Sequence, residues 1–208
     1  MALFYQQDIN QTTRLAIWKI EEPESFFSAK VQLQNNITHP HKRLQHLSGR
    51  YLLPLLFPDF PSAEIEIATT RKPFLPEEQY HFSISHCGNF AAALVSADKQ
   101  VGIDIEMITE RVHRIKHKYL HDAELLFVNR YPIEKQTELL TLLWSAKEAM
   151  FKWWGSGDVD FSEVLRIEPF VFSKEGNIQA RFEKREINIP LELHYRMVGG
   201  MSVVWVYS

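Results

Sequence analysis

Asp104 and Glu106 stand two residues apart in Val101-Gly102-Ile103-Asp104-Ile105-Glu106, and Glu148 and Lys152 stand one helical turn apart in Trp144-Ser145-Ala146-Lys147-Glu148-Ala149-Met150-Phe151-Lys152. On an extended chain Asp104 and Glu106 share a face, where like charges repel unless a cation lies between them. Hard oxygen donors of this kind suit Mg2+, which takes few protein carboxylates and completes its shell with water and phosphate oxygens. Glu148 supplies a third carboxylate, and Lys152 a cation able to offset charge on a phosphate. Neither cluster is specific alone. An isolated D-x-E is usually the polar side of an edge strand, and an i,i+4 Glu–Lys pair adds only a few tenths of a kcal/mol on any helix surface. Together they point to metal-assisted chemistry on a phosphate.

The elements that must position these groups follow from periodicity. Leu139, Leu142, Leu143, Ala146, Ala149, Met150 and Trp153 recur at helical spacing and form one apolar stripe. Glu148 falls on the opposite face between Trp144 and Phe151, so the helix is expected to be covered on both sides. Residues 101–106 alternate as a strand, with Ile103 and Ile105 facing inward. Phe82 to Ser85 and Phe90 to Ser96 read as a hairpin with His86, Cys87, Gly88 and Asn89 at its mouth. His86 there can donate to a phosphate oxygen, although a histidine beside a tight turn is often only a turn residue. Cys87 reads as a small buried thiol.

A second helix is expected after Thr38-His39-Pro40, with a stripe of Leu44, Leu47, Tyr51, Leu52 and Leu55 and a kink or end at Pro54. Arg43 and Arg50 share one flank of it and can hold an oxyanion jointly, or form a solvated edge. Thr13 to Ile20 and Ile65 to Ala68 read as strands, Pro23 opens a helix, and Arg71-Lys72-Pro73 lies in a stiff basic loop. Asp98-Lys99-Gln100 is a turn and the best place for a boundary. Val164 to Phe172, Gln179 to Phe182, Leu191 to Val198 and Met201 to Tyr207 read as strands, with Gly199-Gly200 as a hairpin turn. Strands and helices interleave without regular βαβ spacing, which defines an α+β class. No glycine-rich phosphate loop is present.

The 208 residues suffice for one domain or two small ones. The net charge of −3 argues against a nucleic-acid binder, which needs a basic surface. No apolar run is long enough for a membrane span, and Met1 to Asp8 shows no leader. A single cysteine fits a reducing compartment, so a cytoplasmic location is expected. Arg111-Val112-His113-Arg114-Ile115-Lys116-His117-Lys118 is the densest basic run. Such runs are usually solvated faces. Directly after the carboxylate strand, this one is a candidate dock for an acidic partner.

Gly102-Ile103-Asp104-Ile105-Glu106 followed by Trp144-Ser145-x-Lys147-Glu148-x-x-x-Lys152 resembles the 4′-phosphopantetheinyl transferases, and within them the monomeric, surfactin-synthetase-activating type. Lys72-Pro73 and Ser85-His86-x-Gly88 match in the same order. Arg71, Ser83 and Cys87 depart from the residues usual there (Gly, Asn and Ser), and none of the three is a metal ligand. The resemblance covers residues 71 to 152. It implies two similar α+β halves, residues 1–98 and 99–208, with the active site in the cleft between them and the metal motifs in the second half. It also implies Mg2+-dependent transfer of 4′-phosphopantetheine from coenzyme A to a serine of an acyl or peptidyl carrier protein. By the same resemblance Asp104, Glu106 and Glu148 hold the metal, and Glu148 or a metal-bound water takes the serine proton. Lys152 offsets or protonates the leaving phosphate, and Lys72, His86, Lys147, Arg43 and Arg50 contact coenzyme A. The carrier would meet Arg111, Arg114, Lys116 and Lys118. Two alternatives stay open: a Mg2+-dependent phosphodiester hydrolase, and a non-catalytic protein that binds coenzyme A or a carrier.

Overall fold

The computed structural model describes residues 3–33 and 37–208. Met1 and Ala2, which open the stretch read as leaderless, lie outside them. The chain forms two compact units, Met1–Val101 and Gly102–Ser208, and is α+β.

In the first unit, β1 (Leu3–Asp8), β2 (Thr13–Lys19), β5 (His81–Cys87) and β6 (Phe90–Ser96) form an antiparallel sheet in the order β1-β2-β6-β5. A short α1 (Glu24–Ser28) and the long α2 (Pro40–Leu56) cover it, and β3 (Glu66–Ile67) pairs with β4 (Pro73–Phe74). Pro40 suits the first helical turn, where its missing N–H costs nothing, and the Lys42 N–H donates to His39 Nδ1 at 3.4 Å as a cap. The helix ends two residues past Pro54. Its buried face carries Leu47, Leu52, Leu53 and Leu56, whereas Leu55 is exposed, so the expected stripe is rotated by about one residue. These leucines meet Trp18, Phe27, Phe82, Ala91, Ala93 and Val95 in one apolar core.

In the second unit, β7 (Val101–Met107), β8 (Leu165–Ile167), β9 (Glu175–Lys184), β10 (Ile187–Val198) and β11 (Met201–Tyr207) make a sheet ordered β7-β11-β10-β9-β8. Between β7 and β8 come α3 (Arg111–Ile115), α4 (Asp122–Val128), α5 (Ile133–Trp154) and α6 (Phe161–Val164). The stripe of α5, from Leu139 to Trp153, is buried with Leu193, Val204 and Val206. The expected strand from Val164 to Phe172 reduces to Leu165–Ile167. Asp160 is the cause of its late start: Oδ1 accepts from the Ser162 and Glu163 N–H groups at 2.9 and 3.1 Å and caps a helical turn over residues 161–164. No helix among the described residues is long and apolar enough to cross a membrane.

Gly102 sets the distance between the two elements that carry the acids. A Cβ there would lie 2.0 Å from the Ala149 carbonyl oxygen and 2.7 Å from the Trp153 backbone nitrogen. Only glycine lets β7 approach α5 this closely. Replacing Gly102 with Ala is expected to cost roughly 2–3 kcal/mol, because the obstacle is backbone and cannot rotate away. Urea unfolding checks it, and a loss below about 0.5 kcal/mol would show that the two backbones part freely.

Candidate active site

Strand β7 and helix α5 bring Asp104, Glu106, Glu148 and Lys152 into one cluster in the second unit. Asp104 is buried, and its Oδ1 accepts from Lys152 Nζ at 2.7 Å. Trp144 Nε1 donates to Glu106 Oε1 at 3.2 Å. Glu148 is half-buried between Trp144 and Phe151, and both aromatics pack on Phe161, at ring distances of 5.9 and 5.4 Å. Tyr119 meets Trp144 edge-on at 5.1 Å. The polar face of α5 is therefore covered by aromatics from outside the helix.

The electrostatics follow from crowding acids in a partly dry place. Burial, and next the charge of Asp104, hold Glu106 above the usual glutamate range. The same two causes push Glu148 up to about 7, with Glu106 adding to the shift and Lys152 opposing it. Three carboxylates face one ammonium, an excess of two negative charges. No three acidic or imidazole groups among the described residues are grouped closely enough to hold a metal ion as arranged. Lys152 engages Asp104 instead. The all-oxygen donor set and its charge excess fit a hard divalent cation such as Mg2+, which would offset both the acids and a bound diphosphate.

Lys147, expected among the coenzyme contacts, is elsewhere. Its side chain is fully buried, and Nζ donates to Glu124 Oε2 at 2.6 Å and to the Phe161 carbonyl at 2.9 Å. Glu124 is itself only 4% exposed, and it also accepts from the His121 and Ile167 N–H groups, each at 2.8 Å. One position before Glu148 on the helix, Lys147 points about 100° away from it, into the junction of α4, α5, α6 and β8. It fixes the helix and is not available to coenzyme A.

The first unit holds a groove of about 560 Å³ whose lining includes Lys42, His46, Arg50, Arg71, Ile84 and His86. Lys42, His46 and Arg50 lie at i, i+4, i+8 on α2 and share one face, two cations with an imidazole between them. The His46 and His86 rings lie 5.2 Å apart. Burial lowers the pKa of His46, and the Arg50 and Lys42 charges lower it further, so the imidazole is neutral at pH 7. Arg50 is pulled down to about 10 by burial and stays charged, and its Nη1 has no hydrogen-bond partner among the described residues. Such a buried, unsatisfied guanidinium N–H fits an incoming oxyanion. The His86 turn is fixed to α2 by Gln45 Nε2 and His41 Nε2, at 2.8 and 3.1 Å from the Gly88 carbonyl.

Arg43 does not join Arg50. It pairs with Glu24 of α1 at 2.9 Å, because a long side chain seven residues away reaches a nearby carboxylate rather than the groove. Lys72 is absent from the groove lining, although its neighbours Arg71 and Pro73 are there, and burial lowers its ammonium pKa. Cys87 is buried, as expected of a small apolar side chain. Of the basic run, Arg111, Arg114 and Lys118 are exposed and Lys116 is half-buried. Several contributors escape a sequence reading: Glu124, Phe161, Lys42 and His46. His46 was the most accessible of them, since the 42–46–50 spacing carries the signal.

The arrangement is thus a strand carrying two acids, backed by a helix that supplies a third acid and a lysine. The family model described as the 4′-phosphopantetheinyl transferase superfamily matches residues 100–199, which contain every one of these four groups. The chain is 24% identical over 169 residues to the 4′-phosphopantetheinyl transferase HetI of Nostoc sp., covering 71% of each chain. It is 32% identical to the 4′-phosphopantetheinyl transferase AcpT of Escherichia coli O157:H7, covering 53% of this chain and 57% of that one. It is 34% identical to enterobactin synthase component D of the same organism, covering 53% and 54%. The matches thus span about half the length of the last two relatives. Residues 100–199, just under half of the chain, thus match the 4′-phosphopantetheinyl transferase superfamily, and two of the relatives to which the chain is similar carry that name.

Proposed function

We propose that the protein transfers the 4′-phosphopantetheine group of coenzyme A to a serine of an acyl or peptidyl carrier protein, with Mg2+ as cofactor. The observation that carries the reading is the cluster of Asp104, Glu106 and Glu148 around Lys152, two of its carboxylates held above their usual pKa range by burial and mutual repulsion. Asp104, Glu106 and Glu148 are the residues that would hold Mg2+, and the ion would offset charge on the diphosphate. The serine Oγ forms a bond to the β-phosphorus. The bond from that phosphorus to the oxygen of the adenosine 3′,5′-bisphosphate leaving group breaks, and the serine proton leaves with Glu148 or water as acceptor. Lys152 is the cation able to meet charge building on the leaving phosphate once it turns from Asp104.

The cationic groove of the first unit is assigned to the nucleotide end of coenzyme A, with Arg50 on a phosphate oxygen. Arg50→Ala is expected to raise the KM for coenzyme A on the order of tenfold or more, with little change in kcat, since the contact is equal in ground and transition states. An unchanged KM would remove Arg50 from the coenzyme site. The exposed Arg111 and Arg114 suit an acidic carrier surface. Reversing both to Glu should raise the carrier KM and leave coenzyme affinity alone, and an unaltered carrier KM defeats that assignment.

The deciding experiment is intact-protein mass spectrometry of an apo acyl carrier protein incubated with this protein, coenzyme A and Mg2+. A mass gain of one phosphopantetheine, abolished by EDTA, supports the reading. Coenzyme A binding in calorimetry without any gain on several carriers would favour a non-catalytic binder.

A further inference from the structure

A second cavity of the second unit, about 710 Å³, lies where residues 172–174, the first turns of α5 and the β10–β11 hairpin meet. Its walls include the apolar Ile108, Phe172 and Met197, with the cationic Lys135 and Lys174 beside them. The segment from Phe170 to Ser173 belongs to no helix or strand, yet it is fixed by two tyrosine hydroxyls. Phe172 N–H donates to Tyr131 Oη at 3.1 Å, Tyr131 Oη donates to the Phe170 carbonyl at 3.0 Å, and Ser173 N–H donates to Tyr195 Oη at 3.1 Å. Between these bonds stands Val171, 87% exposed. Ile133, which sits in the chain between the lining residues Tyr131 and Lys135, is 70% exposed. One bare aliphatic on a surface is ordinary. Two, each within two residues of the groove lining in the chain and one of them on a pinned backbone, leave bare apolar surface that a partner seated in the groove would cover.

The charges indicate what covers it. Lys174 has no ion-pair partner among the described residues, and Lys135 meets the half-exposed Glu138 only at 3.9 Å. Ile108, which lines the groove and whose N–H donates to the Gly200 carbonyl at 3.0 Å, stands two residues before Glu110, where the turn that leads into Arg111 and Arg114 begins. Along α5, Glu138 lies about 15 Å from Glu148 at 1.5 Å per residue. That is within the reach of one small domain, whose radius of gyration at about 100 residues is about 13 Å.

We propose that this groove is part of the docking surface for the carrier protein and takes an acidic amphipathic segment of it, apolar side chains on Phe172, Met197 and Val171 and carboxylates toward Lys135 and Lys174. This rests on the carrier being the acceptor, and the groove extends the contact beyond the basic run of α3. The test is fluorescence anisotropy of a labelled apo acyl carrier protein titrated with the full-length chain, alongside a separate transfer assay. The double variant Lys135→Glu/Lys174→Glu and the single variant Val171→Asp alter only exposed side chains. Each is expected to weaken carrier binding by on the order of tenfold, with the KM for coenzyme A unchanged. Carrier binding that is lost in the variants, in a protein that transfers nothing, would keep the groove and discard the transferase reading. Unchanged binding in both variants overturns the groove, whatever the transfer assay shows, and so does wild type that binds no carrier. Concentration-dependent self-association of the wild type that disappears in the variants would also overturn it, by assigning the patch to a second copy of the chain.

Discussion

Glu148→Gln is expected to lower phosphopantetheine transfer by at least about a hundredfold while making the metal-free protein more stable at neutral pH. The two effects have one cause. Burial and the charges of Asp104 and Glu106 push Glu148 up to about 7, above the ordinary glutamate value of 4.5. Between those values the folded state binds a proton that the unfolded state has released, so stability falls as pH rises through that window. Glutamine keeps the shape and removes the charge. The gain at pH 7 is expected to be about 2 kcal/mol after allowing for the partial exposure of Glu148, and to vanish below about pH 4.5. Thermal unfolding in EDTA across pH 4.5–8 measures it. A variant no more stable than wild type at pH 7 would mean that the acids do not repel in the folded protein. In the same assay Mg2+ should raise the melting temperature of the wild type more than that of the variant, a readout of metal binding that needs no turnover.

Much of this cluster was legible because spacing alone places side chains. Alternation along residues 101–107 puts Asp104 and Glu106 together, and the apolar stripe from Leu139 to Trp153 turns Glu148 and Lys152 the other way. The hairpins around Gly88 and Gly199-Gly200 were legible for a similar reason: both glycines of the second pair, and Gly88, have positive φ, which few other residues tolerate. What spacing could not give is which distant group a long side chain chooses. Lys147 and Lys152 are both helical lysines near Glu148, yet one bonds to Glu124 and the other to Asp104. Arg43 and Arg50 look equivalent on α2, but Glu24 lies within reach of only the first. The strand expected over Val164 to Phe172 is cut at both ends: the Asp160 cap holds residues 161–164 in a helical turn, and the Phe170 carbonyl and Phe172 N–H bond to Tyr131 Oη rather than to a ladder. Glycine 102 was visible in the motif, but its reason, the 2.0 Å approach to the Ala149 carbonyl, belongs to packing.

Replacing Lys147 with Met should be the most destabilising change in the second unit, although no substrate touches it. Lys147 and Glu124 form a pair almost wholly removed from water, and burial lowers the lysine pKa while Glu124 raises it. Deleting the ammonium leaves the Glu124 carboxylate buried, with backbone N–H donors from His121 and Ile167 but no counter-charge. Breaking such a pair from one side costs about 3–5 kcal/mol, a large part of a small domain's stability. Adding Glu124→Gln should recover much of the loss at pH 7, since an amide can still accept from one of the two N–H groups without bearing charge. Urea unfolding of the single and double variants separates charge from packing. A single variant that loses less than about 1 kcal/mol, or a double variant no better than the single, would show that the pair contributes through shape alone. If the pair acts as argued, the double variant keeps helix α5 in place beside β7, and its Mg2+ response stays close to wild type even where its stability does not.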